Sequence, residues 1–336
     1  MNLTPIWPAV AFVAVLALIY IAALYIVVRG LSNWFARGRK HSAAGDSPDQ
    51  GSAAESPSQA SAAGRWQRWG QRGIVALAAA GIACMLYGYF VEPYWLDISH
   101  VQITGAHLRP GSSPIRLVHI SDLHCDARER LEGRLPETIA SLHPDVIVFT
   151  GDAANSAEGV PNFRRLMTSL AAVAPTFAIK GNWDYKPYDA DLYAGTGVTE
   201  LRGDFRTLTV RGTEICLAGT GWAMAARVPP LLRRLPQGLL TIFLQHPPDE
   251  FATLVAAGNV DLVCAGHTHG GQVALPFYGA LLTLSRTGKQ FERGLYRAGD
   301  TWMYVNRGIG MEGAWAPRVR FLARPEVTLI EIKPNP

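Results

Sequence analysis

Five short apolar runs in this chain each end in a side chain able to hold a metal. "IRLVHISDLH" ends in Asp122 and His124, and "DVIVFTGD" ends in Gly151-Asp152. "TFAIKGNWD" ends in Gly181-Asn182, with Asp184 beyond; "LTIFLQH" ends in His246, and "DLVCAGHTH" in His267 and His269. Short apolar runs bounded by glycine and polar residues read as buried strands. Residues 127–143, 161–174 and 248–258 read as helices between them, the last bracketed by Pro248 and Gly258 as start and stop signals. Such alternation predicts an α/β domain. Open α/β sheets bind ligands beyond the carboxyl ends of their strands, so these groups are expected to share one cleft.

Taken singly, each signal is weak. Gly-Asp and Gly-Asn are common turns, and a lone histidine after a strand is usually a surface or capping residue. Five such turns in one chain are hard to dismiss together. In "AGHTHGGQ", residues 265–272, two imidazoles stand two positions apart among glycines. In extended chain they would project to the same side. The inventory is four His, two Asp and one Asn, more than one tetrahedral ion uses. Shared through a bridging carboxylate, it suits two divalent ions. Mixed nitrogen and oxygen donors favour Mn, Fe or Zn over Ca or Mg. Two such ions about 3.5–4 Å apart are a template for phosphoester displacement.

The N-terminal part has a different character. The run Ile6–Val28 is apolar and free of charge, long enough to cross a hydrocarbon core as a helix. A second uncharged run covers Gly73–Val91, flanked by tryptophan and tyrosine as interfacial anchors are. The expected division is a transmembrane helix in 1–35, a disordered Ser/Ala/Gly/Pro-rich linker in 36–72, a second transmembrane helix in 73–92 and a catalytic domain in 93–336. Seven basic residues lie between Arg29 and Arg72, whereas Arg109 is the only one between the second span and Arg116. The positive-inside rule then places the linker in the cytoplasm and the C-terminal domain outside it. The net charge of +4 gives no argument for a nucleic-acid partner. Four cysteines make no disulfide framework; Cys84 falls in the second span, and Cys125, Cys216 and Cys264 are expected as buried free thiols.

"SDLH", "GD", "GN-x-D", "QH" and "GHTHGGQ", in this order, resemble the calcineurin-like metallophosphoesterase family over roughly residues 114–333. The C-terminal stretch further resembles its membrane-anchored or exported bacterial branch. The resemblance implies a four-layer sandwich, two facing mixed β-sheets flanked by helices. By motif, Asp122, His124, Asp152 and His269 would hold the first ion, with Asp152 bridging. Asn182, His246 and His267 would complete the second, so that the two histidines of "GHTHGG" face different ions. Asp152, Asn182 and His267 are also expected to act in catalysis, through a hydroxide between the ions that attacks phosphorus in line.

One position departs from the family pattern. The histidine that follows the asparagine, which serves the leaving group, is Trp183 here. An indole donates a hydrogen bond but supplies no proton at neutral pH. Either the leaving group is good, or another residue such as His119 replaces the acid, or Trp183 stacks on substrate. Trp183, Arg286 and Lys289 are the expected substrate contacts, with Arg293 nearby in the same basic loop. The expected function is hydrolysis of phosphodiester or pyrophosphate bonds, with a phospholipid or lipid-linked phosphoester as partner, in a bacterial inner membrane. The stretch 274–284 would admit acyl chains. Two competing expectations are a cytoplasm-facing UDP-2,3-diacylglucosamine diphosphatase and an inert metal-binding membrane scaffold. No protein partner is inferable from the sequence.

Overall fold

The computed structural model describes residues 7–43, 62–185, 191–313 and 318–335, with backbone only at 34–43 and 62–64. It divides into a helical unit, 7–86, and a globular unit from residue 87 onward.

Helix α1 spans Trp7–Ala43 and α2 spans Ala62–Phe90. Pro8 is tolerated because the first helical turn needs no partner for its missing N–H. The segments Trp7–Asn33 and Arg65–Tyr94 are each long and apolar enough to cross a membrane. Both helices overrun the apolar runs into the expected linker. Alanine supplies the reason at its far end, since "SAAGRW" carries good helix formers up to α2. The middle of that linker, 44–61, lies outside the described residues.

The globular unit is a mixed α/β sandwich. One sheet contains β1 (Asp97–Gly105), β2 (Ile115–Ile120), β3 (Val146–Phe149), β4 (Thr176–Ala178), β5 (Thr199–Glu200) and β14 (Glu326–Pro334). Their spatial order is β1-β14-β2-β3-β4-β5. The other contains β6 (Asp204–Val210), β7 (Thr213–Thr220), β8 (Leu240–Gln245), β9 (Leu262–Ala265), β12 (Gly294–Ala298) and β13 (Thr301–Val305), in the order β12-β13-β9-β8-β7-β6. A small hairpin, β10 (Ala274–Leu275) and β11 (Gly279–Ala280), stands apart from both. Strands β2 to β5 are mutually parallel, as are β7, β8, β9 and β13; β14 runs antiparallel to β2.

Burial on both faces explains the continuous apolar runs. Leu117, Val148, Leu217 and Ile242 point into the layer between the sheets. Their neighbours Val118 and Phe149 pack under helices α3 (Leu135–Ser141) and α4 (Val160–Val173). Phe243 and Val263 pack under α5 (Val228–Leu232) and α6 (Phe251–Ala257). The result is helix, sheet, sheet, helix. Gly258, with φ 69°, ends α6 in the left-handed conformation, as the stop signal predicts. The helix expected over 127–143 is shorter than its pattern. The buried Glu132 carboxylate accepts the backbone N–H groups of Arg130 and Leu131, tying that stretch into a turn, and α3 begins only at Leu135-Pro136. The cysteines are free, and Cys125, Cys216 and Cys264 are buried.

Candidate metal centre

The loops after the parallel strands stay paired for several residues beyond the sheet. The Asp122 N–H donates to Gly151 O (2.9 Å), His124 N–H to Asp152 O (3.0 Å) and Gly266 N–H to His246 O (2.8 Å). This continued pairing draws residues of distant sequence to one point. Asp122, His124, Asp152, His267 and His269 all have positive φ, from 41° to 72°. Non-glycine residues seldom take that conformation, and such strain persists where the surroundings over-determine it. It also corrects the expectation for the histidine pair. The chain at 267–269 is not extended, so the two imidazoles diverge instead of projecting together.

Two glycines leave room for the site. A Cβ on Gly181 would fall onto the Asp152 carboxylate, and one on Gly266 would fall onto the Ser121 hydroxyl and the Asp122 carboxylate.

Donor atoms of Asp122, His124, Asp152 and His269 lie within 4.8 Å of one another, and so do those of Asp152, His246 and His267. Asp152 belongs to both groups. Its Oδ2 lies 3.5 Å from His124 Nε2 and 3.3 Å from His246 Nε2. The Asn182 Oδ1 lies 2.9 Å from His246 Nε2. Three imidazoles are fixed by acceptors on their far nitrogens. His124 Nδ1 meets Asn155 Oδ1 (3.0 Å), His246 Nδ1 meets Thr150 O (2.7 Å) and His267 Nε2 meets Leu284 O (3.3 Å). Placing the N–H on those nitrogens turns the remaining lone pairs inward, the usual orientation of metal-ligating histidine. His124 Nε2 and His269 Nε2 then face each other at 3.2 Å, as do His246 Nε2 and His267 Nδ1. Converging lone pairs beside two buried carboxylates are a poor arrangement without positive charge between them. The residues fit a pair of divalent cations.

The electrostatics point the same way. Burial pushes the Asp122 carboxyl up to about 7 and lowers His124 and His267 to about 4. Burial alone would lower His246 too, but the Asp152 and Asp122 carboxylates raise it to about 10. Burial would likewise raise Asp152, yet His246, His124 and the Trp183 N–H hold it well below the usual carboxylate range. The metal-free protein thus keeps a proton on His246 where a cation would sit. Because that pKa lies above the unfolded value, the proton stabilises the metal-free fold until pH rises through about 10. Metal loading at pH 7 is therefore expected to expel at least one proton per chain, with apparent affinity rising at least about tenfold per pH unit through neutrality and levelling only as pH approaches about 10. Calorimetric titration in two buffers of different ionisation heat measures this, and zero proton release would contradict it.

His119 is fully buried, bonded to Thr150 Oγ1 (3.0 Å) and lowered to about 3 by burial. It is a core residue without a proton to give at neutral pH. The Trp183 indole stands edge-on to His124 (5.4 Å) and donates to Glu312 (3.2 Å). Arg286 borders a cleft of about 380 Å³ lined also by Trp222, Gln245, Asp249 and Leu284, and pairs with Asp249 and Glu250. Lys289 turns instead to the carbonyls of Tyr278 and Ala280 and to Glu292. Arg293 donates to Leu322 O.

Asp184, the last residue of the "GN-x-D" motif, takes a positioning role, while Asn155 and Trp222 carry no local sequence signal. Asp184 accepts the backbone N–H groups of Asp152, Ala153 and Gly181, each at 2.8 Å, and so holds two ligand loops together. Asn155 orients His124. Trp222, 40 % exposed, lies 5.0 Å from the His267 ring and forms a wall of the cleft.

The calcineurin-like phosphoesterase family model matches residues 115–271. An uncharacterized metallophosphoesterase of Bacillus subtilis, YkuE, is 33 % identical over 261 residues, covering 74 % of this chain and 90 % of that protein. The phosphodiesterase YaeI of Escherichia coli is 28 % identical over 73 % of this chain and 92 % of its own length. The UDP-2,3-diacylglucosamine pyrophosphatase LpxG of Chlamydia trachomatis is 26 % identical over 76 % and 95 %. With its two-sheet sandwich and its Asp/His cluster at the strand ends, the chain belongs to the calcineurin-like metallophosphoesterases, metal-dependent hydrolases of phosphoric esters.

Proposed function

We propose that this protein is a membrane-anchored two-metal phosphoesterase acting on phosphodiester or pyrophosphate bonds of a lipid-linked substrate. The carrying observation is the bridging position of Asp152 between two groups of buried donors. Asp122, His124, Asp152 and His269 would hold one ion, and Asp152, Asn182, His246 and His267 the other. Bound there, two divalent ions supply activated water and neutralise phosphoryl charge. The chain's own residues do the rest. Asp184 and Asn155 keep the ligands oriented, and the Trp222 wall steers substrate toward the His246 and His267 side. Arg286, held at the cleft edge by Asp249 and Glu250, is assigned to the phosphate. Lys289 would have to leave three oxygen partners to join it. Two long apolar helices support the anchor, and Ile21 and Leu24 on α1 turn 65 % and 64 % of their surface outward, as lipid-facing residues do. The basic linker supports an extracytoplasmic catalytic domain.

A second reading, hydrolysis of a nucleoside-diphosphate-linked lipid at the cytoplasmic face, is favoured by the similarity to LpxG and by the exposed Trp222 indole, a stacking surface for a base. A reporter fused to the C-terminus separates the two. Cytoplasmic reporter activity selects the second; periplasmic activity selects the first.

Trp183 makes the leaving group decisive. Trp183→His is expected to raise turnover of a poor alkyl leaving group by up to about 10²-fold while changing an aryl ester little, because general acid catalysis contributes on that scale only when the leaving group needs a proton. Paired assays of alkyl and aryl phosphodiesters with Mn measure the ratio. An unchanged ratio would remove the missing-acid account. A metal-loaded protein inert on every ester would select the scaffold reading instead.

A further inference from the structure

Between the ligand His269 and the cleft residue Leu284, the chain forms the hairpin β10–β11, buried at its base (Ala274, Ala280) and exposed at its tip. Phe277 at its tip is fully exposed, and Tyr278 is 43 % exposed. Phe277 has φ 64°, a left-handed backbone that bulky residues rarely adopt. Leu322, on a neighbouring loop, is left-handed as well (φ 55°) and 42 % exposed. Two large apolar side chains are thus held outward on unfavourable backbone.

Phe277 and Leu322 border one hollow of about 570 Å³, and Tyr87 lines the same hollow. Tyr87 lies in the last turn of α2. Its ring meets Phe321 edge to face at 6.1 Å, and the Gly88 carbonyl accepts the Arg320 N–H at 2.9 Å. The tip therefore shares its hollow with Tyr87, the residue at which the globular unit begins. Trp95, just past that helix, is 52 % exposed under the Arg324 guanidinium (4.5 Å). Exposed aromatics with arginine at the end of an apolar helix are the chemistry of a lipid interface. Asp97 pairs with both Arg307 and Arg324, so apolar contact carries the surface more than charge does.

We propose that Phe277, Tyr278 and Leu322 insert into the interfacial layer of the bilayer that α2 enters. This rests on the membrane-anchor reading. The partner is a lipid surface, and the docked hairpin is continuous with the loop that carries His267 and His269. The arrangement would bring the cleft to the headgroups, where a lipid-linked phosphoester presents its reactive bond.

Nitroxide labels on the full chain test it, in a Cys84→Ser background reconstituted in phosphatidylethanolamine–phosphatidylglycerol vesicles. Phe277→Cys and Leu322→Cys carry the test labels. Leu77→Cys, within α2, reports the anchor, and Glu214→Cys, exposed near the start of β7, reports water. The expected result is a ratio of oxygen to nickel-chelate collisions several-fold higher at 277 and 322 than at 214, and unchanged in high salt. Values at 277 and 322 equal to that at 214, with position 77 in lipid, overturn the insertion and leave the anchor standing. An aqueous reading at position 77 overturns both. Loss of the contrast in high salt marks electrostatic adsorption and overturns insertion.

Discussion

Asp152→Ala is expected to empty both metal positions together and to cut hydrolysis of a chromogenic phosphodiester by at least about 10³-fold, the upper range for removing one preorganised charge-stabilising group. The reason is its shared position. Asp152 lies within ligand distance of both donor groups, so its loss leaves three donors on one side and, on the other, the two imidazoles of His246 and His267 with Asn182. The fold should survive. Asp152 is a buried carboxylate near Asp122 and Asp184, whose carboxyls burial and the Asp152 charge together raise to about 7. Removing it relieves that repulsion in the metal-free protein but also takes from His246 the carboxylate that holds its proton. The measurement is metal content per chain, with melting temperature read with and without chelator. In the wild type, saturating metal should raise melting by about 5–10 °C for each ion bound, from roughly 2.7 kcal/mol per site at a hundredfold excess over Kd. In the variant that rise should vanish, while the chelated protein still unfolds in one cooperative transition, somewhat below the chelated wild type because the Asp152–His246 pair is lost. Two ions retained per chain would refute the bridging role.

Arg320→Leu is expected to lower stability by about 3–5 kcal/mol, or roughly 6–20 °C in melting temperature. Arg320 is the largest fully buried side chain among the described residues. Burial lowers its pKa to about 9, which leaves it charged at neutral pH. Its guanidinium donates to the carbonyls of Gly310 (3.0 Å), Ala323 (2.7 Å), Arg307 (3.0 Å) and Gly308 (3.1 Å). Leucine would leave the Gly310, Ala323 and Arg307 carbonyls without that donor, whereas Gly308 O keeps the Glu326 N–H, and each unsatisfied group costs about 1–3 kcal/mol. The damage should reach the metals. The clamped loop packs on the first ligand turn, with the Ile309 and Gly310 N–H groups donating to Asp122 O. Metal retention should therefore weaken by about 10–100-fold, as for other groups that orient ligands. Arg297→Ala is the control. That residue is half exposed and pairs with the exposed Asp300, so its loss should cost at most about 1 kcal/mol. Equal melting of the two variants would remove Arg320 from this role.

The part of the site that was legible in the sequence lies at strand ends. A strand buried on both faces announces itself as an unbroken apolar run. The residue where the run stops is by that fact near the sheet's edge, where Asp122, Asp152, Asn182, His246 and His267 stand. The supporting residues announce little. Asp184 ends the "GN-x-D" motif without showing which groups it binds, Asn155 reads as loop, and Arg320 as one more surface cation. Their roles exist because β2, β3 and β4 are parallel neighbours in one register, and because the 307–310 loop crosses the same strand ends.

Local pattern determined the layers, the two long apolar helices and the ligand types, since hydrophobic periodicity and turn chemistry act over a few residues. Only the tertiary structure decided how those ligands face one another. The left-handed backbone at His267 and His269, the Asp184 clamp on three N–H groups and the burial of Arg320 are enforced by contacts between segments far apart in the chain. The free energy that holds such strain comes from the packed whole, so no short stretch of sequence records it.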